Sequence, residues 1–272
     1  MTLIANWIGV DDNENGKLPS SLYLASDSRI TFLDARNRPI STKDDVQKIF
    51  VSKKHPEMFA VCGDYNNCVS FIKHLIDEID NDKLKLNTSP IEEKVNALKE
   101  LFKAFSKDLR CDSVILYGTK VCSNLFLYRF ELAVDKVDIT NVPLGEKSQV
   151  ISRDGSGQND FYDKWLKFNK NAQSFNEADT SRGAFRCIYE AIEKSEDPYV
   201  GGKMQAAVLY RGREMPHPIG VYYGDKCYLF GKEYKPSGAR GIIEYRNCNF
   251  EIVDPNTGKI ADGAQRQPFA QR

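Results

Sequence analysis

Thr2 opens the apolar run TLIANWIGV directly after Met1. Loss of Met1 therefore exposes a residue with both a hydroxyl and a free α-amine, and such a residue can act as nucleophile and as its own base. An α-amine titrates near about 7.7 to 8.0 in model compounds, so part of it is neutral at physiological pH, and a nearby ammonium enlarges that part. The plainer reading of Thr2 is a strand residue at a frayed terminus. Asp27 stands with Ser28 and Arg29 in ASDSRIT, where an apolar segment ends. A carboxylate there can orient a lysine or the terminal amine, and the alternative is a surface turn. Lys48 lies between Val46 and Ile49 in VQKIF. Held partly out of water, its charge would lower the pKa of an adjacent amine; at a sheet edge it would only blunt aggregation.

Gly63 closes the apolar run in FAVCGDYNN. A residue without Cβ lets a substrate approach the backbone, whose N–H can point at a developing oxyanion, and the alternative is a strand-to-helix turn. Ser156 in DGSGQND and Asp197 in EDPYVGGKMQAAVLY each set a small polar group beside glycines, which is also ordinary loop chemistry. Other chemistries lack their supports. There is no G-x-x-x-x-G-K-[ST] loop, no G-x-G-x-x-G and no H-E-x-x-H, and Ser156 is not in a G-x-S-x-G setting. Seven cysteines without a C-x-x-C pair and three histidines suit reduced thiols better than a disulfide framework or a zinc site. Neither a cofactor nor a metal is expected.

The elements that must position these residues begin with four short strands, Thr2–Val10, Leu22–Ile30, Lys48–Ser52 and Met58–Gly63, read as two hairpins. DDNENGKLPSS between the first two reads as a projecting polar connection. Two helices follow, with Cys68, Ile72, Leu75, Ile76 and Ile79 on one stripe and Ile91, Val95, Leu98, Phe102 and Phe105 on the other. Ser89, Pro90 and Glu92 read as N-cap, first helical residue and capping-box carboxylate. Strands return at Ser113–Gly118, Leu125–Leu132, Lys136–Val142 and Ser148–Ser152. A second helical pair covers about Asn159–Asn169 and Ser181–Glu193, and Gly201–Tyr210, Ile219–Tyr223, Lys226–Phe230 and Ile242–Val253 complete the strands. Blocks of strands separated by paired helices predict an α+β class with helices outside sheets. One domain over 2–254 and a polar tail over 255–272 are expected.

Composition bounds the partners. Lys plus Arg and Asp plus Glu both number 38, so the formal net charge is +0, which predicts no general affinity for nucleic acid or anionic membranes. No apolar run exceeds five residues, far short of the roughly 18 needed to span a bilayer, and the N-terminus has no signal-peptide pattern. A cytoplasmic protein is the expectation.

In this order the segments resemble proteasome β-subunit-like N-terminal nucleophile (Ntn) hydrolases, similar to HslV-type peptidases and other bacterial proteasome homologues. The resemblance spans approximately Thr2 to Tyr210, on Thr2-Leu3-Ile4-Ala5, Ala25-Ser26-Asp27-Ser28-Arg29, Lys48, Gly63, Gly155-Ser156-Gly157 and Asp197 with its following glycines. It implies a four-layer αββα sandwich and a threonine-type peptidase that needs no cofactor. Thr2 would be the nucleophile and its amine the base. Lys48 would favour the neutral amine, Asp27 would hold Lys48, the Gly63 amide would line the oxyanion hole, and Ser156 with Asp197 would orient the amine. The implied partners are a peptide or unfolded protein substrate, a homo-oligomeric ring and an ATPase unfoldase. Val200 stands where the family usually has a serine, which favours the rival reading, a catalytically inactive assembly or regulatory subunit of that fold.

Overall fold

Apolar and β-branched residues of the first two segments pair as antiparallel strands, and the remaining elements build on that hairpin. The structure is a computed structural model that describes residues 2–13, 16–36, 38–84, 86, 89–172, 179–236 and 242–264. The first half contains β1 (Ile4–Asn13), β2 (Gly16–Ser26), β3 (Ile30–Leu33), β4 (Pro39–Lys43), β5 (Ile49–Val51), β6 (Glu57–Cys62), α1 (Tyr65–Asp80) and α2 (Ile91–Ser106). Then come β7 (Ser113–Val121), β8 (Asn124–Ala133), β9 (Lys136–Asn141), β10 (Val150–Asp154), α3 (Gln158–Ala172) and α4 (Ser181–Glu193). Last are β11 (Gln205–Tyr210), β12 (His217–Tyr223), β13 (Lys226–Leu229), β14 (Lys232–Tyr234) and β15 (Glu244–Asn247).

One sheet runs β10-β1-β2-β11-β12-β13-β14, with β15 parallel to β12, and a second runs β5-β6-β7-β8-β9. Ile4, Ile8, Leu22, Leu24, Ile49, Met58, Leu116 and Leu127 fill the space between the two sheets. The α1 and α2 stripes bury Ile72, Leu75, Leu98 and Phe102 against Phe59, Ile115 and Phe130 of the second sheet. Phe161, Trp165, Phe185 and Ile188 of α3 and α4 cover Trp7, Tyr23 and Val208 of the first. Each such side chain contributes about 1.5 to 3 kcal/mol on burial.

The expected α+β class with a four-layer αββα sandwich is corrected. Among the described residues the chain is mainly antiparallel sheet, with 39% strand against 24% helix in four helices. Around β12, β13 and β15, Tyr222, Cys227, Tyr245 and Val253 form a small core with no helical residue, and the β3-β4 hairpin stands apart as a sheet of two strands. Residues 11–13 and 16–21 of DDNENGKLPSS are strand rather than projecting loop: after a bulge between Gly9 and Val10 the ladder continues through Asp11 opposite Leu18 and Asp12 opposite Lys17, and residues 14 and 15 lie outside the described residues. Pro90 takes the N-cap of α2 with extended ψ and no side-chain cap bond, so it is not the first helical residue.

At the far end, the Tyr222 hydroxyl donates to Pro255 O at 2.9 Å and Val253 bridges Ile260. Residues 265–272 of the expected tail lie outside the described residues. No helix among the described residues is long and apolar enough to cross a membrane.

Candidate active site

The β1-β2 register sets Ile4 opposite Ser26, which brings Asp27 back onto the start of the chain. Asp27 N donates to Leu3 O at 3.1 Å, and Leu3 N donates to Asp27 Oδ1 at 3.0 Å. Lys48, just before β5, is fixed from the other sheet, where Val61 N donates to Lys48 O at 3.0 Å. Lys48 Nζ then reaches Asp27 Oδ1 at 2.7 Å and also donates to Thr2 Oγ1, whose hydroxyl donates to Asp27 Oδ1. Thr2, Asp27 and Lys48 are 2%, 0% and 2% exposed. Asp27 Oδ2 accepts from Arg29 N and Gly201 N, each at 3.1 Å. With its lone pairs committed to these donors, the carboxylate is a holder of Thr2 and Lys48 rather than a free base.

Burial lowers the Lys48 pKa below the ordinary lysine value, and Asp27, Cys62 and Asp44 offset part of that effect. A neutral amine on Lys48 is thereby easier to reach, which is what a proton acceptor beside a hydroxyl requires. The Cys62 thiol beside it is pushed up to about 11, chiefly by burial, so it stays protonated and is no competing nucleophile at neutral pH.

Thr2 and Lys48 lie at one side of a cleft of about 970 Å³ that is also lined by Gly63 and Ser156. Gly63 has φ +109, and a Cβ there would stand 2.5 Å from Asp112 O and Ser113 Oγ, so the glycine is demanded by its neighbours as well as by any ligand. Around Ser156 the glycines make the closest approach. A Cβ on Gly155 would stand 2.0 Å from Thr2 O, and Gly157 N donates to Thr2 O at 3.3 Å. Ser156 is exposed at the cleft. Asp197 is not among the cleft residues; its carboxylate accepts from Tyr199 N at 2.8 Å. Val200 is 2% exposed, within the apolar core that also contains Leu3.

Arg29, the Gly201–Gly202 pair and Gln205 take parts that the sequence reading does not give them. Arg29 grips Asp44 with two bonds at 2.7 and 2.8 Å and extends to Val200 O. Gly201 and Gly202 admit Arg29 and Ser28 at close range, so β11 begins at Gln205 and not at Gly201. Gln205 is fully buried and bridges the backbone beside Asp27 to that beside Lys48. A lone Gln at the head of QAAVLY was the available signal. Among the described residues, no three His, Cys, Asp or Glu side chains gather as metal ligands.

The molecule is thus two packed, mainly antiparallel sheets with a buried threonine, lysine and aspartate at one end. Among solved structures it is similar to Anbu (ancestral beta-subunit) from Yersinia bercovieri, with a TM-score of 0.49 and 12% identity over 79% of this chain and 85% of that one. It is also similar to an Anbu (Gly-1) mutant from Hyphomicrobium sp. strain MC1, with a TM-score of 0.48 and 8% identity over 79% of this chain and 82% of that one. No protein-family model and no curated protein matches the chain. The resemblance to proteasome β-subunit-like Ntn hydrolases of HslV type is corrected here: both neighbours are Anbu proteins, of proteasome-like fold and not HslV-type hydrolases. Motifs of three to six residues constrain local turns, not family. At these identities and scores the likeness assigns no activity.

Proposed function

We propose that the chain is a threonine-type peptidase whose nucleophile is Thr2 after removal of Met1. The observation that supports this reading is the meeting of Thr2 Oγ1, Lys48 Nζ and Asp27 Oδ1 beside a cleft large enough for a peptide segment. Neutral Lys48 accepts the hydroxyl proton while Thr2 Oγ1 bonds to the scissile carbonyl carbon. The C=O electron pair moves onto oxygen, which the Gly63 amide stabilises. Collapse breaks the C–N bond, the proton passes from Lys48 to the leaving amine, and an acyl ester remains on Thr2. Water, deprotonated by Lys48 or by the Thr2 α-amine, then bonds to the ester carbon, the bond to Thr2 Oγ1 breaks, and the same base returns the proton to Oγ1 as the acid leaves. Ser156, at the cleft beside Thr2, orients that amine. Asp197, outside the cleft, acts only through the Val200–Gly201 turn, since Val200 N donates to Asp197 O at 3.0 Å.

The substrate is a peptide or an unfolded protein, with Phe32, Leu33, Tyr65 and Tyr199 as apolar walls. We further propose a homo-oligomer, supported by the exposed Phe32, Leu33 and Ile40 of the β3-β4 hairpin at the cleft, with an ATPase unfoldase as a supplier of unfolded chains. The absence of Asp197 from the cleft and the apolar setting of Val200 favour a second reading, a non-catalytic assembly subunit. Turnover of fluorogenic peptides by Met1-free protein, with Thr2→Ala as control, separates the two. Equal release by both proteins would refute the peptidase.

A further inference from the structure

We propose that Gln205 is the positioning residue that holds Lys48 against Asp27, an inference that rests on the peptidase reading above. Gln205 begins β11 opposite Ser26 and is completely buried. An apolar residue of similar size would fill that volume without the cost of burying an amide, so the reason for a glutamine lies in its bonds. All four go to backbone flanking the two residues. Nε2 donates to Asp27 O at 2.8 Å and to Val46 O at 3.0 Å, and Oε1 accepts from Lys48 N at 2.9 Å and Ile49 N at 3.2 Å. Donors meet carbonyls and the acceptor meets N–H groups, which fixes the amide orientation and uses its whole bonding capacity.

Asp27 and Lys48 flank separate strands that no β-ladder joins directly: Asp27 follows β2, which ends at Ser26 in one sheet, and Lys48 precedes β5, which begins at Ile49 in the other. Gln205 spans that gap with one rigid amide. Ser28 adds a neighbouring link, since Val46 N donates to Ser28 O at 3.1 Å. Without Gln205 the 2.7 Å contact between Nζ and Oδ1 is left to the Ser28–Val46 and Val61–Lys48 backbone bonds, neither of which joins the backbone of Asp27 to that of Lys48. The groups facing Lys48 are Asp27 at the end of β2, Cys62 at the end of β6, Asp44 after β4, and the Thr2 hydroxyl. Among the described residues only Asp27 stands in direct ionic contact with Nζ.

The test compares Gln205→Met, which deletes all four bonds, with Gln205→Asn, which keeps an amide one methylene too short to span both strands. In each full-length folded variant the Lys48 titration is followed by NMR of its ε-carbon, and kcat and KM are measured on a fluorogenic peptide. Loosened from Asp27, Lys48 in Gln205→Met should titrate about one pH unit lower than in wild type. Misplacement on this scale should cut kcat by about a hundredfold with KM little changed. Gln205→Asn should move both in the same direction by less, and it carries the test if Gln205→Met does not fold. A folded variant with wild-type kcat and a wild-type Lys48 titration overturns the inference. Thr2→Ala, run alongside, separates the two ideas: full turnover there sinks the peptidase reading, while the Lys48 titration in the Gln205 variants still decides the clamp.

Discussion

Lys48→Met keeps the side-chain length and deletes the ammonium that touches both Thr2 Oγ1 and Asp27 Oδ1. Loss of a positioned proton acceptor costs about a hundredfold to ten-thousandfold in rate, which is about 3 to 5 kcal/mol of barrier. The fold should survive the change. Asp27 would retain the Thr2 hydroxyl and the amides of Leu3, Arg29 and Gly201, so the cost stays below the roughly 3 to 5 kcal/mol of a bare buried charge. A pH signature accompanies it. Burial lowers the native Lys48 pKa, so wild-type turnover should climb with pH through a midpoint below about 10.4, the free lysine value. Between that midpoint and the free value the unfolded chain binds more protons than the native one, so wild-type stability should rise with pH across the window and fall as pH drops through it. The variant should lack both the rising rate limb and that rise in stability. Initial rates on a fluorogenic peptide and urea melts, taken from neutral to alkaline pH, read the two effects. A folded Lys48→Met protein that keeps more than about a tenth of wild-type turnover would refute a proton-accepting role.

Elsewhere, Lys94 and Glu57 form a completely buried ion pair at 2.7 Å, with the Tyr117 hydroxyl on the other carboxylate oxygen. Lys94→Met should cost about 3 to 5 kcal/mol, and pairing it with Glu57→Gln should recover much of that, because no bare charge remains; a thermal melt in which the single variant matches wild type would contradict this. Val200→Ser should lower stability by about 1 to 3 kcal/mol and leave kcat unchanged, since the side chain lies in the apolar core. A rise in kcat would show that a hydroxyl there reaches the terminal amine. Light scattering at micromolar concentration should give an oligomeric mass, and a monomer would remove the assembly proposal.

Legibility in the sequence followed periodicity and strand ends. Helix α4 matches its expected span because Phe185, Ile188 and Ile192 mark one face and Thr180 accepts from Gly183 N at its start. The β3-β4 hairpin is missing from the expected strands, which end at Ile30 and resume at Lys48, because Pro39–Lys43 is exposed throughout and so shows no buried-face alternation. The polar stretch after Val10 hid a ladder for the same reason. Thr2, Asp27 and Lys48 were readable as polar residues where apolar strands begin or end. Asp197 shared that appearance yet lies outside the cleft, because its carboxylate caps its own turn at Tyr199 N. Gln205 offered only its place at the head of an apolar strand, since its partners are about 160 to 180 residues earlier and are backbone groups that carry no sequence signal.

The central claim is that Thr2 is a nucleophile activated by Lys48. It is tested most directly by intact-protein and peptide mass spectrometry after incubation with a peptide β-lactone, which opens onto a reactive hydroxyl as an ester. Protein lacking Met1 should gain one adduct, mapped to Thr2, and the adduct should be lost in Lys48→Met and in protein with an uncleavable N-terminal extension. Met1-free, folded protein that remains unmodified at Thr2, or that is labelled there equally well without Lys48, would contradict the account.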